Sequence, residues 1–186
     1  MTGQGKASVD ILLAESFKEL VQQQPIEKIT IKEITDKAGV IRPTFYNHFQ
    51  DKYELLEWII RTQLIDPMQI LLENGMFQQA MVLLFTSMIN EKAFYMKASH
   101  LEGQNSFESI VKSSITTVVQ EVLEKRGHIE KLPAWVSNEL LAEYYAQSAS
   151  FVMIKWIQSG MELAPETMAE VYDDMLHMSL SDVLRK

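Results

Sequence analysis

The sequence predicts an all-α protein of about nine helices. Gly and Pro are scarce, at 7 and 5 of 186 residues, and they stand at intervals along the chain. Between them the apolar residues recur every three or four positions, as on a helix that is buried along one side, and no segment alternates like a strand. With 47% hydrophobic residues, the chain has ample material for a packed core.

The first two helices are predicted from their apolar positions and their ends. The first stops before Pro25, and its buried stripe is expected at Val9, Leu12, Leu13, Phe17, Leu20 and Val21. The second begins at Thr30, whose hydroxyl can cap the amide three residues on while Glu33 reaches back, which is the spacing of a capping box. Gly39 is expected to end this helix in a left-handed conformation.

The third helix is short, and the fourth is expected to end at a proline. The third covers about residues 41–49. A second capping-box spacing, Asp51 with Glu54, opens the fourth, and Asp66-Pro67 is expected to break it. Five further helices are predicted between turn residues, at 76–90, 92–99, 105–126, 137–159 and 165–184.

Composition excludes several classes of chemistry. The chain has no Cys, so it has no disulfide, no thiolate-bound zinc and no cysteine nucleophile. Its four His lack metal-ligand spacing, and it carries neither a phosphate-binding glycine loop nor a nucleophile elbow, so we expect no metal, no cofactor and no catalysis. No apolar run approaches the roughly 18 residues of a membrane span, and no signal peptide is visible, so we expect a soluble, cytoplasmic protein.

Charge singles out one short stretch. The formal net charge is −8, and residues 63–186 carry most of it, with 9 basic and 16 acidic side chains against 8 and 9 in residues 1–62. Between Lys28 and Lys52, however, five basic side chains stand against three acidic ones. A polyanion such as DNA would bind in this stretch.

Residues 30–49 have the dimensions of a helix-turn-helix, two short helices joined by a Gly turn. Their inner side is expected to consist of Ile31, Ile34, Ala38, Ile41, Phe45 and Phe49. The outer side would then offer groups that bind phosphates and base edges, namely Arg42, Pro43, Thr44, Tyr46, Asn47 and His48. Lys52, in the first turn of the next helix, would add a charge where free amides already favour a phosphate. The spacing alone fits a helical protein-interaction module as well as a DNA-binding domain.

The residue string itself carries a resemblance to a known family. Residues 29–56, ITIKEITDKAGVIRPTFYNHFQDKYELL, closely resemble the N-terminal DNA-binding domain of the TetR family of bacterial transcriptional regulators. The resemblance implies a three-helix, homeodomain-like domain at residues 1–62 and a helical ligand-binding and dimerisation domain at residues 63–186. It also implies that Arg42, Pro43 and Tyr46 face the major groove. The DNA backbone would be held by Thr30, Lys32, Thr44, His48 and Lys52.

One departure from the family pattern lies at Ile41, where many relatives carry Ser or Thr. The recognition helix thereby lacks the usual hydroxyl cap, although Pro43, still inside the first turn, can preset the helical conformation. Farther along, WIQSGM at residues 156–161, followed by Pro165-Glu166, is similar to the end of the penultimate helix in Gram-positive members of the family.

The C-terminal two-thirds are rich in Met and aromatic residues. Ten of the 11 Met lie at or after Met68. Flexible, polarisable side chains suit a pocket for a small apolar effector, and the candidates for lining it are Trp58, Phe85, Tyr95, Met96 and Phe107. An ordinary helical core explains the same residues equally well.

The last two predicted helices carry more apolar residues than one core contact requires. We expect them to form a four-helix interface with a second copy, through Leu141, Tyr144, Tyr145, Ser148, Val152, Trp156, Met168, Val171, Tyr172 and Met175. A homodimer would hold two basic domains about one helical turn of DNA apart, on a palindromic operator. The prediction is a repressor that a small-molecule effector releases from this operator. The alternatives are a helical protein-interaction module, or an activator controlled by a partner protein and lacking a small ligand of its own.

Overall fold

The computed structural model describes residues 3–126, 133, 135–179, 181 and 184, and every regular element within them is helical. The α-helices are α1 (Gly3–Val21), α2 (Ile31–Ala38), α3 (Arg42–Tyr46), α4 (Lys52–Ile60), α5 (Asp66–Glu73), α6 (Phe77–Asn90), α7 (Lys92–Ala98), α8 (Phe107–Arg126), α9 (Asn138–Gln158) and α10 (Pro165–His177). A short 3-10 helix, Ile26–Lys28, precedes α2, and a π-helical turn, Arg61–Ile65, joins α4 to α5 in one continuous rod. The prediction of an all-α protein of about nine helices is confirmed.

The first four helices pack around a shared apolar centre. α1 contacts α2 and α4, and α3 contacts α2. Leu13 and Phe17 of α1, Phe45 of α3 and Leu55 of α4 are all fully buried. Leu12, which belongs to the predicted stripe of α1, is exposed instead.

Side chains fix the beginnings of α2 and α4. Glu33 Oε2 accepts a hydrogen bond from the Thr30 amide at 2.7 Å, and Thr30 Oγ1 accepts one from the Glu33 amide at 3.2 Å, so the first capping box is confirmed. At α4, Asp51 accepts from the Glu54 amide, but the Glu54 carboxylate accepts from the amide of Gln50 and not from that of Asp51. The reciprocal bond of the second predicted box therefore lies one residue upstream.

The predicted break at Asp66-Pro67 is wrong. The chain remains helical through the π-helical turn, where the Asp66 amide donates to the Arg61 carbonyl five residues earlier. Pro67 falls in the first turn of α5, directly after the π-helical turn, and its fixed φ suits the helix. Helix α5, absent from the sequence prediction, therefore follows α4 directly.

The remaining helices form a larger body that the first four contact directly. α9 packs along α8, and both α5 and α10 pack on α6. α1 also contacts α7, and α4 contacts α8, so one apolar cluster continues from Leu13 in α1 to Tyr172 in α10. The first four helices and the larger body therefore share one apolar core.

The C-terminal end differs from the prediction. α10 ends at His177, because Met178 is extended, and does not run to residue 184 as one helix. Gly127 and His128, at a predicted break, lie outside the described residues. Within the described ranges no helix is both long and apolar enough to cross a membrane.

Candidate nucleic-acid interface

The turn between α2 and α3 depends on Gly39. This residue caps α2 with φ 68° and ψ 29°, which is the left-handed conformation. Nothing lies within 4 Å of the position that a Cβ would occupy, so the backbone angle favours glycine here, and crowding does not. α3 starts only three residues later and sends Phe45 into the core. The two helices form the expected helix-turn-helix.

One residue just after this turn, Ile41, does not face as predicted. Ile41, expected on the inner side, is 68% exposed, and Val40 packs against the core. Ile41 is the N-cap of α3, with extended angles of φ −89° and ψ 153°, and its side chain makes no capping hydrogen bond. An extended residue does not continue the helical period backwards from Phe45, which explains the error. Ile41 therefore belongs to the outer surface of α3.

That outer surface presents Arg42, Pro43, Tyr46 and Asn47, all of which are exposed. Arg42 Nη2 donates a hydrogen bond to Tyr46 Oη at 3.2 Å, and Arg42 Cζ lies 5.9 Å from the centre of the Tyr46 ring. The two side chains stand one helical turn apart and hold each other in place. An arginine fixed in this way can bond in a bidentate manner to guanine or to phosphate.

The other side chains expected at the DNA backbone are partly engaged within the chain. The Thr30 hydroxyl donates to Glu33 Oε2 at 2.7 Å in addition to accepting from the Glu33 amide. Hydrogen bonds from the Thr30 amide and hydroxyl lower the pKa of Glu33, which keeps this carboxylate ionised. Thr44 is half-buried, and its amide donates to the Ile41 carbonyl at 2.9 Å. The Thr30 hydroxyl therefore stabilises the start of α2 both as a donor and as an acceptor.

His48 and Lys52 are held by neighbouring segments. His48 Nδ1 lies 2.5 Å from Asp10 Oδ1 on α1, and the His48 side chain is only 4% exposed. Lys52 Nζ donates to the carbonyls of Glu27 and Ile29, each at 2.8 Å. Burial lowers the pKa of Lys52, against the opposing charge of Glu27. His48 thus anchors the segment after α3 to α1, and Lys52 anchors the loop before α2 while keeping one N–H for a phosphate.

Acidic neighbours neutralise much of the basic stretch. Lys32 pairs with Asp36 on α2, and Lys37 pairs with Glu19 on α1 at 2.6 Å. Arg42 is the one basic side chain of α2 and α3 with no carboxylate partner in the described part of the chain. The positive charge of the helix-turn-helix is consequently concentrated at α3.

Two charged residues of α1 are buried, and the sequence patterns above do not predict this. Asp10 is 9% exposed and Lys18 is 3% exposed. Asp10 precedes Leu13 and Phe17 at helical spacing and so lies on the buried stripe of α1. An acidic residue at such a position indicates a buried carboxylate that needs a partner. Lys18 Nζ lies 2.9 Å from Glu91 Oε1, 73 residues away, and no local pattern indicates that contact.

The residues expected at a dimer interface divide by exposure. Tyr144, Tyr145, Val171 and Met175 are exposed, Leu141 and Ser148 are half-buried, and Val152, Trp156, Met168 and Tyr172 are buried within the chain. Tyr144 and Tyr145 form an edge-on pair with ring centres 5.3 Å apart. Burial raises the pKa of Tyr172, while a hydrogen bond with Ser148 opposes the shift and joins α10 to α9. The exposed apolar set, with Phe151 of α9, is called the α9–α10 surface below.

Three of the aromatic residues expected to line an effector pocket belong to two different pairs of packed rings. Tyr95 and Phe107 are buried with ring centres 6.2 Å apart. Phe85 packs edge-on against Trp156, with ring centres 5.0 Å apart. These four rings lie in the core, as the alternative of an ordinary helical core predicts.

Trp58 and Met96 lie elsewhere, and neither of them lines the two clefts described below. Trp58 is half-buried against Phe49, and Met96 is exposed on α7. A cleft of about 280 Å³ between the π-helical turn and α8 is lined by Glu57, Arg61, Ile65, Asp66, Ser114, Thr117, Val118 and Glu121. A more open one, of about 570 Å³, lies where the α7–α8 loop meets α9.

Two segments of the chain match known protein families. Residues 17–59 match the family described as bacterial regulatory proteins, tetR family. Residues 76–178 match the family described as transcriptional regulator C-terminal region, and this match spans more than half of the chain. The first match contains the whole helix-turn-helix, and the second contains α6 to α10.

Two curated proteins are similar in sequence. The HTH-type dhaKLM operon transcriptional activator DhaS of Lactococcus lactis is 30% identical over 86 residues, which cover 46% of this chain and 46% of that protein. The uncharacterized HTH-type transcriptional regulator YxbF of Bacillus subtilis is 23% identical over 172 residues, which cover 88% of this chain and 43% of that protein. The aligned residues span less than half the length of each of these curated relatives.

Solved structures share the fold over almost the whole chain. The dihydroxyacetone kinase operon activator DhaS superposes with a TM-score of 0.59 at 22% identity, covering 91% of this chain and 94% of that one. NalD of Pseudomonas aeruginosa, the secondary repressor of the MexAB-OprM multidrug efflux pump, superposes with a TM-score of 0.64 at 14% identity, covering 92% and 95%. At these identities the likeness concerns the fold.

Proposed function

Because the chain belongs to the TetR family of bacterial transcriptional regulators, we propose that it binds a palindromic DNA operator as a homodimer and controls transcription from there. Residues 1–62 are the proposed DNA-binding domain, and residues 63–186 are the proposed ligand-binding and dimerisation domain. The observation that carries the proposal is the exposed group of Arg42, Pro43 and Tyr46 on a helix-turn-helix whose other side is core.

Different roles are proposed for the DNA-binding residues, according to their exposure and their hydrogen bonds. Arg42, Pro43 and Tyr46 contact base edges in the major groove, and Lys32, Thr44 and Asn47 contact the backbone. Thr30, His48 and Lys52 act mainly through the hydrogen bonds that hold α2 and α3 in place, with Lys52 offering its remaining N–H to a phosphate.

Dimerisation is proposed to use the α9–α10 surface. Its rings and Met175 are apolar side chains that face solvent together within the single chain, and a dimer would cover them. Two such surfaces meeting about a two-fold axis would set the distance between the two α3 helices. The acidic remainder of the chain would then lie away from the phosphates.

The direction of regulation has two candidates. We propose repression released by a small apolar effector, in line with the described repressor role of the structural neighbour NalD. Activation is the second candidate, because DhaS, 30% identical over 86 residues, is described as an activator. In both cases the effector or partner acts by binding one arrangement of the two DNA-binding domains more tightly than another arrangement.

DNA binding is tested by selecting sequences from a randomised duplex library with the full-length chain. The enriched duplex is then titrated by fluorescence anisotropy at several salt concentrations, beside a scrambled duplex. We expect enrichment of a palindrome, two chains per duplex at saturation and a steep loss of affinity with salt. Arg42→Ala should cost about 1–3 kcal/mol and relax specificity, while the control Lys97→Ala, on α7, should bind as the wild type does.

The result that contradicts the proposal is equal and weak binding to both duplexes with no enriched sequence. The direction of regulation is tested by transcription in vitro from a promoter that contains the selected palindrome. Less transcript in the presence of the protein supports repression, and more supports activation. Addition of medium-chain fatty acids or aromatic acids should restore transcript only if a small apolar effector controls a repressor.

A further inference from the structure

Ile41 is an exposed branched side chain at the edge of the proposed DNA-contacting surface. It is 68% exposed, whereas the neighbouring Val40 packs against the core. It makes no capping hydrogen bond to α3, although Ser, Thr, Asp or Asn at an N-cap normally does so. Ile41 thus contributes neither to the core nor to the start of the helix, at a position where a polar residue would serve the fold better.

The surroundings of Ile41 indicate what it could contact. It directly precedes Arg42, whose guanidinium is held by Tyr46, and all three side chains are exposed. A lone exposed isoleucine is common on protein surfaces, but this one continues a surface built to enter the major groove. An aliphatic side chain has no hydrogen bond to offer a phosphate or a base edge. The apolar group that the major groove presents is the C5-methyl group of thymine.

We propose that Ile41 is a specificity-determining residue that packs against the C5-methyl group of a thymine adjacent to the base pair read by Arg42. The inference rests on the proposed DNA-binding function and deepens it by naming a base and an atom. A β-branched side chain has few rotamers to lose when it is packed, so the contact costs little conformational entropy. Each half-site of the operator should accordingly contain a thymine at that position.

The test uses the duplex that the full-length chain selects from a randomised library. Each thymine of this duplex is replaced in turn by deoxyuridine, which lacks only the methyl group, and affinities are measured by fluorescence anisotropy. At one thymine per half-site, we expect the replacement to weaken binding of the wild type about fourfold, the value of one buried methyl group. Ile41→Ser should bind the thymine and deoxyuridine duplexes equally.

A matched control is Ile70→Ser, because Ile70 is 70% exposed but lies on α5, outside the helix-turn-helix. This variant should keep the full methyl effect. Circular dichroism and thermal unfolding check that Ile41→Ser is folded. We expect it to be, because a serine at this N-cap is favourable.

The outcomes separate the two proposals. Salt-dependent binding to an enriched palindrome with no methyl effect at any thymine, or with the same effect in Ile41→Ser, would overturn the role of Ile41 and leave DNA binding intact. Selected sequences without a thymine beside the base pair that Arg42→Ala relaxes would do the same. If no sequence is enriched and binding is weak on every duplex, the proposed function itself fails, and the role of Ile41 fails with it.

Discussion

Lys18 Nζ on α1 lies 2.9 Å from Glu91 Oε1, between α6 and α7, so a buried cation of the first helix is bonded to the larger helical body. The same ammonium lies 2.7 Å from Glu15 Oε1 and 3.5 Å from Gln63 Oε1 in the π-helical turn. Lys18 is only 3% exposed, so its charge depends on these partners. This group of contacts ties together α1, the rod of α4 and α5, and the start of α7.

Removing Glu91 should therefore destabilise the protein. Lys18 keeps Glu15, and Glu91 itself is partly exposed, so we expect Glu91→Ala to lower the free energy of unfolding by about 1 kcal/mol. Urea denaturation measures the change. The control is Glu162→Ala, an exposed acidic residue without a described ion pair, which should have almost no effect. Equal stability of the two variants would show that the contact contributes nothing.

The Lys18 contacts also predict a dependence on alkaline pH. Burial lowers the pKa of Lys18, but its hydrogen bonds and charge interactions with Glu15 and Glu91 outweigh burial, so the net pKa is raised above 10.5. The folded state therefore binds this proton more tightly than the unfolded state does. The stabilisation is fully present below pH 10.5 and is lost as the pH rises through the folded-state pKa.

Lys18→Met tests this assignment, because it replaces the ammonium by an apolar chain of similar length. Urea denaturation of the wild type should show stability falling above about pH 10, and the variant should fall less steeply over the same range. Parallel curves for the two proteins would assign the alkaline loss to other groups.

The contrast between Thr30 and Lys18 shows what the sequence could predict. The capping box of Thr30 with Glu33 and the stop at Gly39 depend on residues within a few positions, so spacing alone predicted them. Lys18 meets Glu91 across 73 residues and His48 meets Asp10 across 38, and such contacts depend on how the helices pack. Sequence patterns fix local structure, whereas partners far apart in the chain are chosen by tertiary packing.

Two errors at the candidate site and beside it had local causes. A helical period extended past the start of α3 predicts Ile41 on the inner side, but the backbone at Ile41 is extended. Asp66-Pro67 predicts a break, but the π-helical turn before Pro67 continues the helix into α5, whose first turn accommodates the proline. Both errors concern helix starts, where the period gives no information about backbone conformation.

Gly39 should tolerate asparagine better than alanine. Its φ of 68° is costly for residues with a Cβ, although Asn visits this region more readily than most. We expect Gly39→Ala to lower the free energy of unfolding by about 1 kcal/mol and Gly39→Asn to lower it less. Thermal and urea denaturation measure both. Since no atom lies within 4 Å of the added Cβ, a larger loss for alanine cannot come from a clash. An equal loss for both variants would contradict the conformational explanation.

Charging the α9–α10 surface should separate the subunits of the proposed dimer. Tyr144 is 66% exposed within one chain, so Tyr144→Asp leaves the fold of the single chain almost untouched. In a dimer the new carboxylate would be buried without a partner. Sedimentation velocity should show a shift from dimer to monomer, while Ile70→Asp, at a residue 70% exposed on α5, should remain dimeric. A Tyr144→Asp protein that stays dimeric would place the interface elsewhere.

Replacing Ile41 by serine should stabilise the protein even as it alters DNA recognition. Ile41 is the N-cap of α3 and makes no capping bond, and Pro43 offers no N–H, so the Thr44 amide is the group that a serine hydroxyl would accept from. Since that amide already donates to the Ile41 carbonyl at 2.9 Å, the gain in unfolding free energy should be modest, about 0.5 kcal/mol. Urea denaturation beside Ile70→Ser, a matched exposed position inside a helix, isolates the capping effect. A loss of stability in Ile41→Ser alone would mean that the isoleucine packs against the chain in a way that its 68% exposure does not indicate.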